Sequence, residues 1–173
     1  MNLPPKFIST IQNTFREEGH TFLEALPDMI AEASVRWGLT GVRPVPALSY
    51  NFVAFAKSSL TAKNAKGAKE ELNLRGLRAL GGSNDVVLKM CVPNREAKSE
   101  IAALRLFKGE GACRLLEYDE EKCWMLLERL DPGVMLATTD DDEEATRIAA
   151  EVMKRIWVPV GATHASPLQQ KFI

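Results

Sequence analysis

Val86-Val87-Leu88-Lys89-Met90 reads as a short apolar strand with a lysine set inside it. An ammonium group is costly to bury without a partner, so the lysine implies an anion nearby. The next segment supplies one. With Asn94 as N-cap, Arg95 to Phe107 reads as a helix in which Ala97, Ile101, Leu104 and Phe107 recur at three- and four-residue steps. Glu100 falls inside that stripe, so its carboxylate also needs a partner. Glu96 is simpler to explain, because the first turn of a helix favours negative charge. The expected pair is Lys89 with Glu100, and the competing explanation is a structural ion pair in an unrelated α+β protein.

Outward from this pair the chain alternates between strand and helix signals. Ala112 to Tyr118 and Lys122 to Leu130 read as two strands of a hairpin joined by Asp119-Glu120-Glu121, with the turn Pro132-Gly133 beyond. Upstream, a period of two predicts strands near Arg43 to Ala47 and Tyr50 to Lys57, with Leu48-Ser49 as the turn between them. Phe7, Ile8, Ile11 and Phe15 fit one face of a helix that Gly19 would end. A second helix is expected from Thr21, interrupted at Pro27, restarting at Asp28 and stopping at Gly38. Neither helix is rich in lysine or arginine on its polar face, which argues against a membrane-surface role. Near the other end, Asp140 is the expected cap of a helix whose apolar stripe runs Ala145, Ile148, Ala149, Val152, Met153, Ile156 and Trp157. Helix-start chemistry accounts for the acidic cluster there without a metal.

Composition sets outer bounds. The chain has 173 residues and a formal net charge of −1, enough length for one sizeable core and no basic excess for a nucleic-acid partner. No apolar run approaches the ~20 residues needed to span a bilayer, and Met-Asn-Leu-Pro-Pro-Lys lacks the core of a signal peptide. Cys91, Cys113 and Cys123 show no paired metal or redox spacing and fit a reducing cytoplasm. The two histidines, His20 and His164, are too few for a histidine-rich metal site.

An apolar strand bearing lysine, a helix bearing glutamate and a hairpin running into a Pro-Gly turn resemble the small lobe of kinases. The wording is closer to one family. Leu48-Ser49-Tyr50-Asn51-Phe52-Val53-Ala54, Val86-Val87-Leu88-Lys89, Glu100 to Arg105, Gly109 to Glu117 and Leu126 to Gly133 resemble the aminoglycoside/hydroxyurea antibiotic resistance kinases, which include streptomycin phosphotransferases. The resemblance covers Leu26 to Trp157 with one interruption. It implies an α+β fold: a protein-kinase-like small (N-terminal) lobe, with a five-stranded antiparallel sheet, a packed helix and flanking helices. It also implies that Lys89 holds nucleotide phosphates, that Glu100 holds Lys89, and that Ser49, Tyr50 and Asn51 overlie the phosphates. On the same resemblance the Glu128 carbonyl and the Leu130 amide pair with adenine, with Leu127 beside the pocket. The bland alternative for the Glu128 side chain is an exposed strand residue, and for Ser49 to Asn51 an ordinary hairpin turn, since no G-x-G-x-x-G is present.

The resulting organisation is N-terminal helices over 1–38, a nucleotide-binding lobe over 43–133, a hinge and first large-lobe helix over 134–157, and a divergent tail over 158–173. Within the lobe, 59–82 is a lysine- and alanine-rich segment expected to be a dispensable insertion. Its carboxylates dilute the charge and no aromatic residue is interleaved, which argues against nucleic acid. Phosphoryl transfer needs an aspartate to orient the acceptor and a carboxylate with an asparagine to hold magnesium. A His-Gly-Asp-x-x-x-x-Asn loop does not occur, so no catalytic residue and no metal ligand is assigned. The expectation is a cytoplasmic, truncated member of a family that moves the ATP γ-phosphate to a hydroxyl of an aminoglycoside (streptomycin) or of hydroxyurea. ATP would bind weakly here, and magnesium belongs to the full-length family. The alternative is a non-catalytic protein-binding module on the same lobe.

Overall fold

The computed structural model describes residues 3–59, 85–131 and 133–157. The expected insertion, apart from Ser59, and the tail from Val158 lie outside the described residues. The chain divides into two compact units, Met1–Val134 and Met135–Ile173. The fold is α+β, with a five-stranded antiparallel sheet consistent with a kinase-like N-terminal lobe.

In the first unit, β1 (Leu39–Pro44), β2 (Phe52–Ser58), β3 (Asp85–Met90), β4 (Leu115–Asp119) and β5 (Trp124–Glu128) form one sheet in the order β1-β2-β3-β5-β4. Every neighbouring pair is antiparallel. Two helices cover it, α1 (Pro5–Trp37) before β1 and α2 (Arg95–Phe107) between β3 and β4. Successive strand side chains point to opposite faces, so each strand divides its residues between the two helices. Phe52, Ala54, Ala56, Val86, Leu88, Met90, Trp124 and Leu126 pack with Phe7, Ile11, Phe22, Leu26, Ala33 and Trp37 of α1. On the other face, Cys91, Cys123, Met125 and Leu127 pack with Ala97, Ile101 and Leu104 of α2. The central strands are therefore apolar on both sides along most of their length, and Lys89 is the charge that falls inside the α2-facing part.

The helices over the first face differ from expectation. The break falls at Arg16, whose φ of 50° and ψ of −120° are not helical, and not at Gly19. In a straight helix Ile11 and Gly19 would be ~12 Å apart. Here a β-carbon built on Gly19 would stand 2.5 Å from the Ile11 carbonyl oxygen. The chain doubles back at Arg16, and glycine is the residue that lets the two segments touch. Pro27 does not interrupt the second segment. It removes one backbone hydrogen bond, but the buried Phe22, Leu26, Ala33 and Trp37 hold the helix on the sheet across it. Gly38 ends the helix as expected, in the left-handed conformation, with its amide donating to the Ser34 carbonyl.

The strand ends also move. β1 begins at Leu39, four residues earlier than the alternation suggests, with an irregularity in the pairing between Thr40 and Arg43 where Gly41 has φ +63°. Pro44 closes it, since proline cannot donate to a ladder. The connection to β2 is the loop 45–51 and not a two-residue turn, because Leu48 is drawn down into the core. The β4–β5 tip is tied to both helices: Arg36 pairs with Asp119 at 2.6 Å, Lys122 with Glu32, and Arg105 with Glu120 at 3.9 Å. Burial alone would raise the Asp119 carboxyl. The Lys122 amide and the Arg36 guanidinium outweigh it and leave the group below the usual carboxylate range.

The second unit contains a short 3-10 turn (Leu136–Thr138) and α3 (Asp142–Ile156). Its N-cap is Asp141, one residue beyond the expected Asp140, and the Asp141 side chain accepts from the Glu143 and Glu144 amides at 2.9 and 3.1 Å. None of its residues is buried.

The close approach at Gly19 generates a prediction. Gly19→Ala should lower stability by about 1–3 kcal/mol, the range for overpacking a filled site. Urea unfolding checks it, and a change within about 0.5 kcal/mol, normal for a surface site, would mean the two segments do not touch there.

Candidate functional site

β3 and α2 each place one charge beside the apolar residues through which they pack, and the fold brings the two together. Lys89 Nζ donates to both carboxylate oxygens of Glu100, at 2.5 and 2.7 Å. α2 is aimed at β3 by its own chemistry: Asn94 Oδ1 accepts from the Ala97 amide at 2.8 Å and sets the start of the helix. Ala97, Ile101 and Leu104 then fix its rotation. The Lys89 side chain keeps 17% of its exposure and Glu100 keeps 37%, so the pair sits at the edge of the core with the lysine deeper.

Burial pushes the Cys91 thiol up to about 12, and burial raises Cys113 as well, so both behave as small hydrophobes.

Strand register locates the other expected residues. Phe52 pairs with Met90 and Val53 with Lys89, so Ser49, Tyr50 and Asn51 lead into β2 beside the Lys89 end of β3. Glu128 pairs with Val86, at the opposite end. Leu127 pairs with Val87 and is packed under α2. Leu130, just past β5, is exposed. Lys89 and the loop therefore mark one end of the central strand, and Glu128 and Leu130 the other. Among the described residues no hydrogen bond or ion pair joins these two groups.

Glu128 is more than an exposed strand residue. Its amide donates to the Arg114 carbonyl at 3.0 Å, and its carboxylate accepts from the Arg114 amide at 2.7 Å. These bonds clamp β5 to the chain entering β4 and use the amide and carboxylate, not the carbonyl that the resemblance assigns to adenine. A second unforeseen feature is Arg129, whose guanidinium lies 4.5 Å from the centre of the Phe55 ring. No sequence signal pairs residues so far apart. The only hint was parity, since Phe55 lies two residues from Val53 and so shares its side of β2.

The donor set suits a phosphate better than a metal. A lysine held by a carboxylate presents positive charge with fixed direction. Among the described residues no group of three or more His, Cys, Asp or Glu is gathered as a cation site. None of the helices described is long and apolar enough to cross a membrane.

The unequal burial of the pair predicts unequal costs. Glu100→Gln leaves the deeper charge without its partner and should cost about 1–2 kcal/mol, between surface and fully buried pairs. Lys89→Met leaves a carboxylate that water can reach and adds an apolar side chain, so it should cost less than about 1 kcal/mol. Denaturant melts of both variants test the ordering, and a larger loss from Lys89→Met would contradict it.

The sequence model of the family described as aminoglycoside/hydroxyurea antibiotic resistance kinase matches residues 75–173, more than half of the chain and past the Trp157 limit of the resemblance. The streptomycin 6-kinase of Streptomyces glaucescens is 30% identical over 156 residues, covering 90% of this chain and 44% of that protein. The streptomycin 6-kinase of Streptomyces griseus is 30% identical over 159 residues, with the same coverage. The hydroxyurea phosphotransferase of Kitasatospora aureofaciens is 34% identical over 140 residues, 80% of this chain and 35% of that protein. The chain thus spans less than half the length of these relatives, and no solved structure matches it. On the family match, this chain belongs to the aminoglycoside/hydroxyurea antibiotic resistance kinases.

Proposed function

We propose that this chain is the nucleotide-binding lobe of a small-molecule kinase acting in the cytoplasm. Lys89 binds phosphate oxygens of ATP, and Glu100 holds the ammonium in place. The backbone of Ser49, Tyr50 and Asn51 lies over the phosphates, Leu127 walls the site, and the Glu128 carbonyl and Leu130 amide meet the adenine edge. The single observation that carries this reading is the two-oxygen pairing of Lys89 with Glu100 beside the apolar contact of β3 with α2.

The spacing of the two groups supports it. Lys89 and Val86, the strand partner of Glu128, are three residues apart along β3, about 10 Å at ~3.3 Å per residue. That matches the separation between the base and the outer phosphates of an extended nucleotide. When bound, magnesium neutralises phosphate charge. The acceptor is a hydroxyl of a small polar molecule, an aminoglycoside such as streptomycin or hydroxyurea, on the names of the relatives. Transfer itself needs an aspartate that orients the acceptor, and the 173 residues contain no His-Gly-Asp-x-x-x-x-Asn block to supply it.

Calorimetric titration of the 173-residue chain with ATP should give weak, saturable binding that Lys89→Ala abolishes. The same chain should produce no ADP from ATP with streptomycin or hydroxyurea. Binding unaffected by Lys89→Ala would refute the site. No binding at all would leave the protein-binding module as the better reading, and steady Lys89-dependent ADP production would show that transfer needs no further residues.

A further inference from the structure

Neither helix covers all of the Lys89 face. One row of side chains crosses the whole sheet on that side: Arg43 pairs with Phe55, Phe55 with Val87, Val87 with Leu127, and Leu127 with Leu115. α2 closes over the row at Val87, Leu127 and Leu115. Phe55 belongs to neither apolar cluster of the described residues. Among the described residues, the Arg129 guanidinium lies over its ring, 4.5 Å from the centre.

Arg129 stands between Glu128 and Leu130, the two residues to which the proposed function assigns the base edge. A purine held there by its edge turns a flat face toward the sheet, and an aromatic ring without an apolar cover is the surface on which a base stacks. A guanidinium is also flat and stacks on aromatic rings. The two are therefore alternatives for one ring face.

We infer that Arg129 is an internal stand-in for the base: its guanidinium occupies the Phe55 face in the chain alone and must swing away before a purine stacks there. This rests on the nucleotide-binding reading and adds to it a residue that weakens base binding. An exposed cation–π pair is strong enough to lower the affinity for a purine by about two- to five-fold.

The test separates the base from the phosphates by titrating the full chain with adenosine and, separately, with tripolyphosphate. Adenosine carries no charge, so the general attraction between a cation and a polyanion does not enter. Arg129→Ala should tighten adenosine binding about two- to five-fold, and Phe55→Leu, which keeps an apolar side chain but removes the ring, should weaken it. Lys89→Ala should abolish tripolyphosphate binding. Adenosine binding that is unchanged or weaker in Arg129→Ala overturns the stand-in, the weaker case meaning that Arg129 closes over the base instead. If tripolyphosphate binds through Lys89 while adenosine binds neither wild type nor Arg129→Ala, this proposal falls and the phosphate site stands. If neither ligand binds the wild-type chain, both fall.

Discussion

The structure depends on a lysine that could not stay where it is by itself. Lys89 lies on the central strand of the sheet, between an apolar face closed by α1 and a face partly covered by α2, with Val53 and Met125 as its strand neighbours. A charge in that place raises its own energy unless a counter-charge arrives from the helix above. Glu100 does so with both oxygens, and only because Asn94 starts α2 at the right residue and Ile101 and Leu104 set its rotation. A pair of this kind adds little to stability compared with two apolar residues. In the proposed function its use is to hold a directed positive charge at the edge of the core, where a polyanion would meet it.

The sheet serves as a platform because its two faces are divided. α1 takes the side chains of one parity and closes that face with a continuous apolar cluster. α2 takes part of the other and leaves Phe55 outside the cluster. Doubling back at Arg16 lets a long N-terminal segment cover one face without a second domain. The β4–β5 tip then braces the arrangement, with Arg36 and Glu32 reaching it from α1 and Arg105 from α2. Exposed pairs such as these are worth less than about 1 kcal/mol each, so the bracing adds alignment more than stability.

The parts legible from the sequence were those governed by local chemistry or by a charge out of place. Lys89 and Glu100 each broke an apolar pattern, and two such breaks on adjoining elements pointed at one another. Asn94 and Gly38 worked as helix signals because their roles depend on the backbone beside them. The misreadings came from contacts distant in sequence. Gly19 looked like a helix stop but serves a close approach to Ile11. Pro27 looked like a break, but the sheet beneath overrides it. The irregularity at Gly41 hid the start of β1, and the burial of Leu48 lengthened a turn into a loop. At the site, the Arg114–Glu128 bonds and the Arg129–Phe55 stack depend on register between strands, which periodicity along one strand does not contain.

In the proposed function a nucleotide phosphate meets Lys89. Amine acylation followed by peptide mass spectrometry measures this directly, because Lys98, Lys108 and Lys122 lie exposed elsewhere on the same unit and serve as internal references. With saturating ATP, Lys89 should be modified several-fold more slowly while the three reference lysines react at unchanged rates. Equal labelling of Lys89 with and without ATP, under conditions where ATP binding is seen by another method, would contradict the account.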